Sequence, residues 1–390
     1  MTQSCASVLL LCVLTPCVMT LSQTEPGTDH RNVITTLNPG GPPLPPGGDL
    51  LYMRSVGRND SLHFLFCSQG APSLLLVHSS NPDAMLKVDW LHFLQRNSSS
   101  NLRVEPESSV VHSIALVFSR LWEYQDLNDT ADPRSDPGSV FPPDELQDVD
   151  WSRVRLSTLS AELCGAIRMR NGSICVQLSV FEEWGRDELW PRLLHNSDSA
   201  QLKFWLDGLT PRTAHSRFLL ELRTVSGAPL ETVQSVRSID DEYTPSIFTV
   251  SQWRSNSSLS FVQWKPVAYR DRSARLEVAT PLTHWYPQHQ DPVSAATTSG
   301  LVLGYYGNNT KTIAMNISFG LSGEPFYKDF MSWTLLVGIG DPPLDQFSVL
   351  VWSVLLVGLG SPLLLLLLGG ACVCVRHLTG PASSTYEPIN

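Results

Sequence analysis

Ser173-Ile-Cys-Val-Gln-Leu-Ser-Val180 alternates without a break, with Ile174, Val176, Leu178 and Val180 on one side and Cys175, Gln177 and Ser179 on the other. A period of two marks a strand buried on one face and wet on the other. Outward from it, short apolar or alternating runs recur along the chain. They fall at 61–67, 73–78, 86–94, 110–118, 202–206, 218–225, 247–253, 259–269, 301–306, 312–319 and 332–339. No segment of comparable polarity offers a long helical stripe, although 144–151 is expected to form a short helix. This spacing predicts an all-β, sandwich-like region in two packed parts. Residues 123–150 interrupt it with nine acidic residues, one arginine (Arg134) and four prolines. They read as a long acidic surface loop dividing the strands into two groups. Ahead of the strands, residues 38–48 are crowded with Pro and Gly, so 23–49 reads as a linker and the folded region is placed at 50–345.

The two ends set the topology. Residues 347–375 are an uncharged, mostly apolar run of 29 residues between Asp345 and Arg376. About 20 apolar residues suffice to cross a bilayer as helix. Residues 8–19 form a second apolar stretch, followed by Thr20 and Ser22 where a signal peptidase favours small residues, so 1–22 reads as a cleaved signal peptide. The chain is then expected to be a single-pass type I protein, with 376–390 as a cytosolic tail. Arg376 and His377 on one flank, and Asp341 and Asp345 on the other, agree with that orientation. The tail ends Tyr386-Glu-Pro-Ile-Asn390. A Tyr-x-x-apolar sequence on a short tail is the form read by clathrin-adaptor subunits, which makes Tyr386 and Ile389 a sorting motif and an adaptor subunit a partner. Cys372 and Cys374 lie at the same end of the anchor.

Seven Asn-x-Ser/Thr sequons lie between the apolar segments, at Asn59, Asn97, Asn128, Asn171, Asn256, Asn308 and Asn316. Glycans must face water, so these positions are expected to mark surface. Three cysteines remain in the same region, Cys67, Cys164 and Cys175. An odd number leaves one thiol, and Cys164–Cys175 is the expected disulfide. In the anchor, Ser353 and Gly360 are seven residues apart and share one helix face, with Gly358 and Pro362 beside it. Small residues there let a partner helix approach closely.

Composition narrows the function. The net charge is −10 without a Lys/Arg cluster, which argues against a nucleic-acid partner. No zinc-binding His or Cys pattern, nucleophile elbow or phosphate-binding loop is present. Asp240, Asp241 and Glu242 are the densest carboxylates, and Ser238 three residues before Asp241 reads them as a capped turn. The sequence therefore assigns no catalytic residue, no metal ligand and no cofactor.

Ser238-Ile-Asp-Asp-Glu-Tyr-Thr-Pro245, Gln263-Trp-Lys-Pro-Val-Ala-Tyr269, Asn316-Ile-Ser-Phe-Gly320 and the terminal Tyr386-Glu-Pro-Ile-Asn390 are specific. With Trp333, Gly338, Gly340, Pro342 and Pro343, they resemble the glycosylated lysosomal membrane protein family from about Leu50 to the C-terminus. The resemblance implies a non-enzymatic accessory subunit of a lysosomal major-facilitator transporter that carries dipeptides, shielding its partner from lumenal proteases. A homodimer is left open. The resemblance also implies two lumenal disulfides, but Ala200 and Ile313 occupy one position of each pair, so neither is carried over. The alternative function is a membrane-anchored lysosomal hydrolase or a carbohydrate-binding receptor, for which the eleven tryptophans would supply stacking surfaces.

Overall fold

The computed structural model describes residues 30–41, 48–96, 101–187, 190–226, 231–238, 247–255, 258–285, 298–307, 310–343 and 349–379. The chain forms two units, 1–343 and 344–390.

The first unit is built from antiparallel strands in two sheets. One sheet runs β1 (Asn32–Leu37), β2 (Leu50–Val56), β3 (Ser61–Cys67), β4 (Ser73–Ser79), β7 (Val110–Gln125), β15 (Ser216–Ser226), β21 (Lys311–Phe319), β20 (Ala279–Trp285). The other runs β9 (Asp150–Leu156), β10 (Ser160–Ala166), β11 (Ser173–Val180), β14 (Ser199–Asp207), β22 (Phe330–Ile339), β18 (Ser258–Trp264), β17 (Ile247–Ser255), β16 (Glu231–Ser238). At one corner β20 leaves the first sheet for β19 (Val267–Tyr269), which touches β22 in the second. Short hairpins β5 (Met85–Val88) with β6 (Leu102–Glu105), and β12 (Gly185–Arg186) with β13 (Leu194–His195), decorate the sandwich. β8 (Asp144–Glu145) pairs with β7.

Alternation explains where the core sits. Ile174, Val176, Leu178 and Val180 of β11 point inward and are buried. They meet Leu62, Phe64 and Phe66 of β3 and Ile114, Leu116 and Phe118 of β7 in one cluster. Phe118 of the first sheet stacks on Phe204 of the second at 6.1 Å between ring centroids. The first sheet is buried on its other face too. There Tyr52, Leu65, Leu75, Val77, Ala115 and Val117 form a second cluster with residues of β6 and two short helices. This explains why β3 and β4 read as solid apolar runs rather than alternating ones.

Those helices correct two strand expectations. Residues 301–306 belong to α2 (Gly300–Tyr306), and the second half of 86–94 to α1 (Trp90–Gln95). Each starts on a side-chain cap: Ser299 accepts from the Val302 amide, and Asp89 from the His92 amide. A helix of two turns is too short to display a periodic stripe, so an apolar hexamer reads as a strand. Residues 144–151 are not a helix either. β8 leads into a single 3₁₀ turn (Leu146–Asp148) and then β9.

The acidic segment does not divide the fold. β7, before it, is the ladder neighbour of β15, after it, so the two packed parts are two layers of one sandwich. Nor is 23–49 wholly a linker, because β1 lies within it and pairs with β2 along its whole length. The breakers begin only after β1, at Asn38, whose side chain binds both the Leu50 amide and the Asp49 carboxylate.

The second unit contains α3 (Val349–Thr379). Within it, Leu356–Arg376 is long and apolar enough to cross a membrane.

Candidate interaction surface

The sequon positions separate by local geometry. Asn59 is exposed in the β2–β3 turn, which the Gly57 amide closes onto the Asp60 carbonyl. Asn128 is exposed in the segment after β7, and Asn171 in the β10–β11 turn. The Asn171 turn depends on glycine: Gly172 has φ +95°, and a Cβ there would meet the Gly208 backbone at 2.3 Å. Asn316 differs. It sits mid-strand in β21, half-buried, opposite Glu221 on one side and Trp285 on the other. Its Oδ1 is buried without a hydrogen bond among the described residues. Asn97, Asn256 and Asn308 lie outside the described residues, as do Asp240, Asp241, Glu242, Tyr386 and Ile389.

The acidic segment is lashed down by arginines from the β10–β11 turn, the β14–β15 loop and β15. Glu123 is fully buried. It accepts from Arg170 at 2.8 Å and from the Ser216 hydroxyl at 2.6 Å. Asp144 accepts from Arg170 at 2.7 Å and Arg212 at 3.1 Å. Arg217, also buried, donates to Asp126 at 2.8 Å and Asp129 at 2.5 Å, and reaches the Glu324 carbonyl at 2.9 Å. Burial alone would raise the Asp126 pKa. The Ala131 and Thr130 amides and Arg217 outweigh it and hold the carboxyl below the usual range. So the segment expected as a long acidic surface loop is a partly ion-paired cap on one end of the sandwich. Besides the local Arg120 and Arg134, its partners lie at 170, 212 and 217, and nothing in the local sequence points to those three.

A second cluster ties the sheets together at the opposite end. Arg31 donates to Asp60 of the first sheet at 2.8 Å and to Asp198, just before β14 of the second, at 2.7 Å. His78 joins at 3.1 Å from Asp60. Burial pushes the Asp60 pKa up, but His78 and Arg31 override it and hold the carboxylate well below its ordinary range.

Cys164 and Cys175 are register partners on β10 and β11 and form a disulfide. Glu162 lies close enough to both sulfurs to suggest a metal triad, but disulfide sulfurs are not thiolate ligands. Cys67 is a buried free thiol. Burial pushes its pKa up to about 12, leaving it inert. Ser353 and Gly360 lie on α3, both exposed.

What this arrangement presents is a rigid, ion-paired β surface carrying sequons on turns at both ends, attached to one apolar helix. Residues 49–380 match the family model described as glycosylated lysosomal membrane protein. The chain belongs to the glycosylated lysosomal membrane protein family. It is 48% identical to the glycosylated lysosomal membrane protein of Danio rerio over 93% of both chains. Against that of Homo sapiens it is 36% identical over 89% of this chain and 88% of the relative. The glycosylated lysosomal membrane protein B of Xenopus laevis is 36% identical over 93% of this chain and 94% of its own. The family model's match starts at residue 49, after β1, whereas the Danio rerio match, covering 93% of this chain, extends upstream of it. A lysosomal membrane glycoprotein family accounts for both the sequons and the apolar helix α3.

Proposed function

We propose that this family member is a non-enzymatic accessory subunit, a type I lysosomal membrane protein whose sugar-bearing lumenal domain shields a multispan transporter from proteolysis. The partner is the major-facilitator carrier implied by the family resemblance. The observation that carries this reading is the placing of Asn59, Asn128 and Asn171 on exposed turns at the ends of a sandwich whose charged loops are tied down. Glycans at such points widen the excluded volume, and ion-paired loops offer proteases no slack substrate. In the membrane, a helix gains little hydrophobic drive from packing on another helix, so Ser353 and Gly360 contribute close approach and the β domain most of the affinity.

The deciding experiment places the lumenal domain on a foreign single-span anchor. The domain swap should still co-purify with the transporter and lengthen its lifetime, though less than the native chain. An anchor and tail that protected the transporter fully without the β domain would overturn the shield. A chain that purified alone with hydrolase activity would overturn the subunit reading itself.

A further inference from the structure

Strand β9 is an edge. Among the described residues its ladder partner is β10, with Val154 opposite Leu163, Arg155 opposite Glu162 and Leu156 opposite Ala161. The backbone phase follows from the neighbouring ladder. Cys164 and Cys175 are 4.1 Å apart at Cα, the narrow spacing of a non-hydrogen-bonded pair. Cys164 therefore turns its N–H and C=O toward Arg153. By alternation, Val154 and Leu156 turn theirs away from β10, to the open side.

The side chains at this edge are unusual for a chain of net charge −10. Arg153 and Arg155 stand on the outer face, the Arg155 side chain 82% exposed with one ion pair to Glu162 at 3.4 Å. Val154 and Leu156 stand on the inner face, where Leu156 is 45% exposed although its neighbours are core. Exposed edges invite another strand, and charge selects which. A second copy pairing through the regular stretch 153–156 sets Arg153 against Arg155, which is repulsive. A strand with acidic residues at alternate positions meets both arginines, and its intervening apolar residues cover Leu156. No sequon lies within β9 or the turn that joins it to β10.

We propose that the open edge of β9 is a strand-addition site for an extended partner segment of alternating acidic and apolar residues, with Arg153 and Arg155 reading the acidic positions. This deepens the accessory-subunit reading, and rests on it for the partner being a membrane neighbour.

The test uses the full-length glycoprotein in detergent and two labelled, capped octapeptides of alternating Glu-Val or Lys-Val, followed by fluorescence anisotropy. The Glu-Val peptide binds roughly tenfold more tightly than the Lys-Val peptide, as expected for two cross-strand charge pairs reversed in sign. Arg153→Glu with Arg155→Glu inverts the preference, and Arg155→Gln alone weakens it. N-methylation of alternate Glu-Val amides abolishes binding, because strand addition needs the peptide N–H groups. Equal binding of the N-methylated peptide, an unchanged preference in the double variant, no measurable binding, or dimers of the wild-type chain joined through β9 would each overturn the proposal. If that happens while the transporter still depends on this chain for its lifetime, the edge assignment falls and the subunit reading stands.

Discussion

Arg217 lies with its guanidinium 2.8 Å from the Asp126 carboxylate, and their side chains are 1% and 3% exposed. The pair fastens the end of β7 to the start of β15, and through Asp129 and the Glu324 carbonyl to the β21–β22 loop. Removing one member strands a buried charge, which costs about 3–5 kcal/mol. Arg217→Met is therefore expected to lower stability by that order in urea unfolding. Arg217→Lys is expected to restore only part, because one ammonium cannot serve three acceptors in a plane.

Cys164–Cys175 closes a short loop between adjacent strands. Loops of this size contribute about 3 kcal/mol through the unfolded state. Cys175→Ser is expected to lower the unfolding midpoint accordingly, and reductant to do the same to the wild type while leaving the variant unchanged.

Acid weakens the fold through buried histidines. His63 is fully buried between the Tyr52 hydroxyl at 2.7 Å and Ser61 at 3.0 Å, and burial pulls its pKa down to about 3. The unfolded chain takes up this proton near pH 6.5, so stability falls as pH drops from there toward the folded value. At pH 4.5 the cost is about 2–3 kcal/mol for this residue. Asp60 acts in the same direction over a lower window: its lowered pKa gives stability that is present above the ordinary carboxylate range and lost as pH falls below it. A His63→Gln variant is expected to show a flatter dependence of melting temperature on pH between 7 and 4.5. Parallel curves for variant and wild type would refute this.

The sequons should differ in use. Asn59, Asn128 and Asn171, on exposed turns, are expected to carry sugar. Asn316, half-buried mid-strand, is expected to carry none. Single Asn→Gln variants should then raise gel mobility at the first three and leave it unchanged at Asn316.

The tail is expected to address the protein. Tyr386→Ala should move the chain toward the cell surface when it is expressed without the proposed transporter partner, since a partner carrying its own signal would rescue it. Surface biotinylation measures the shift.

Sequence alone located β3, β11 and β21 nearly to the residue, because alternation or solid burial is a local property. The disulfide was legible for a related reason: two cysteines on adjacent strands of a hairpin face each other. β1 was hidden by the Pro/Gly run that follows it. α1 and α2 were hidden by brevity, since their helical faces are set by the second core on the first sheet. The acidic cap was misread because its charge balance is long-range. Glu123 meets Arg170 and Arg212 only after β10, β11 and the β14–β15 loop converge. The β9 edge has no sequence mark, since an edge is defined by which strand is absent beside it.

The order of strands also sets a clock. β22, the last strand before the anchor, lies inside the second sheet, with β14 on one side and β18 on the other. Until Phe330–Ile339 has been synthesised, the inner edges of β14 and β18 have no neighbour. At ordinary translation rates, the interval between β14 and β22 lasts on the order of ten seconds. During that time two bare strand edges and half a core stand uncovered. The second sheet is therefore completed only shortly before α3 is made, and truncation before Phe330 splits it into β9-β10-β11-β14 on one side and β18-β17-β16 on the other.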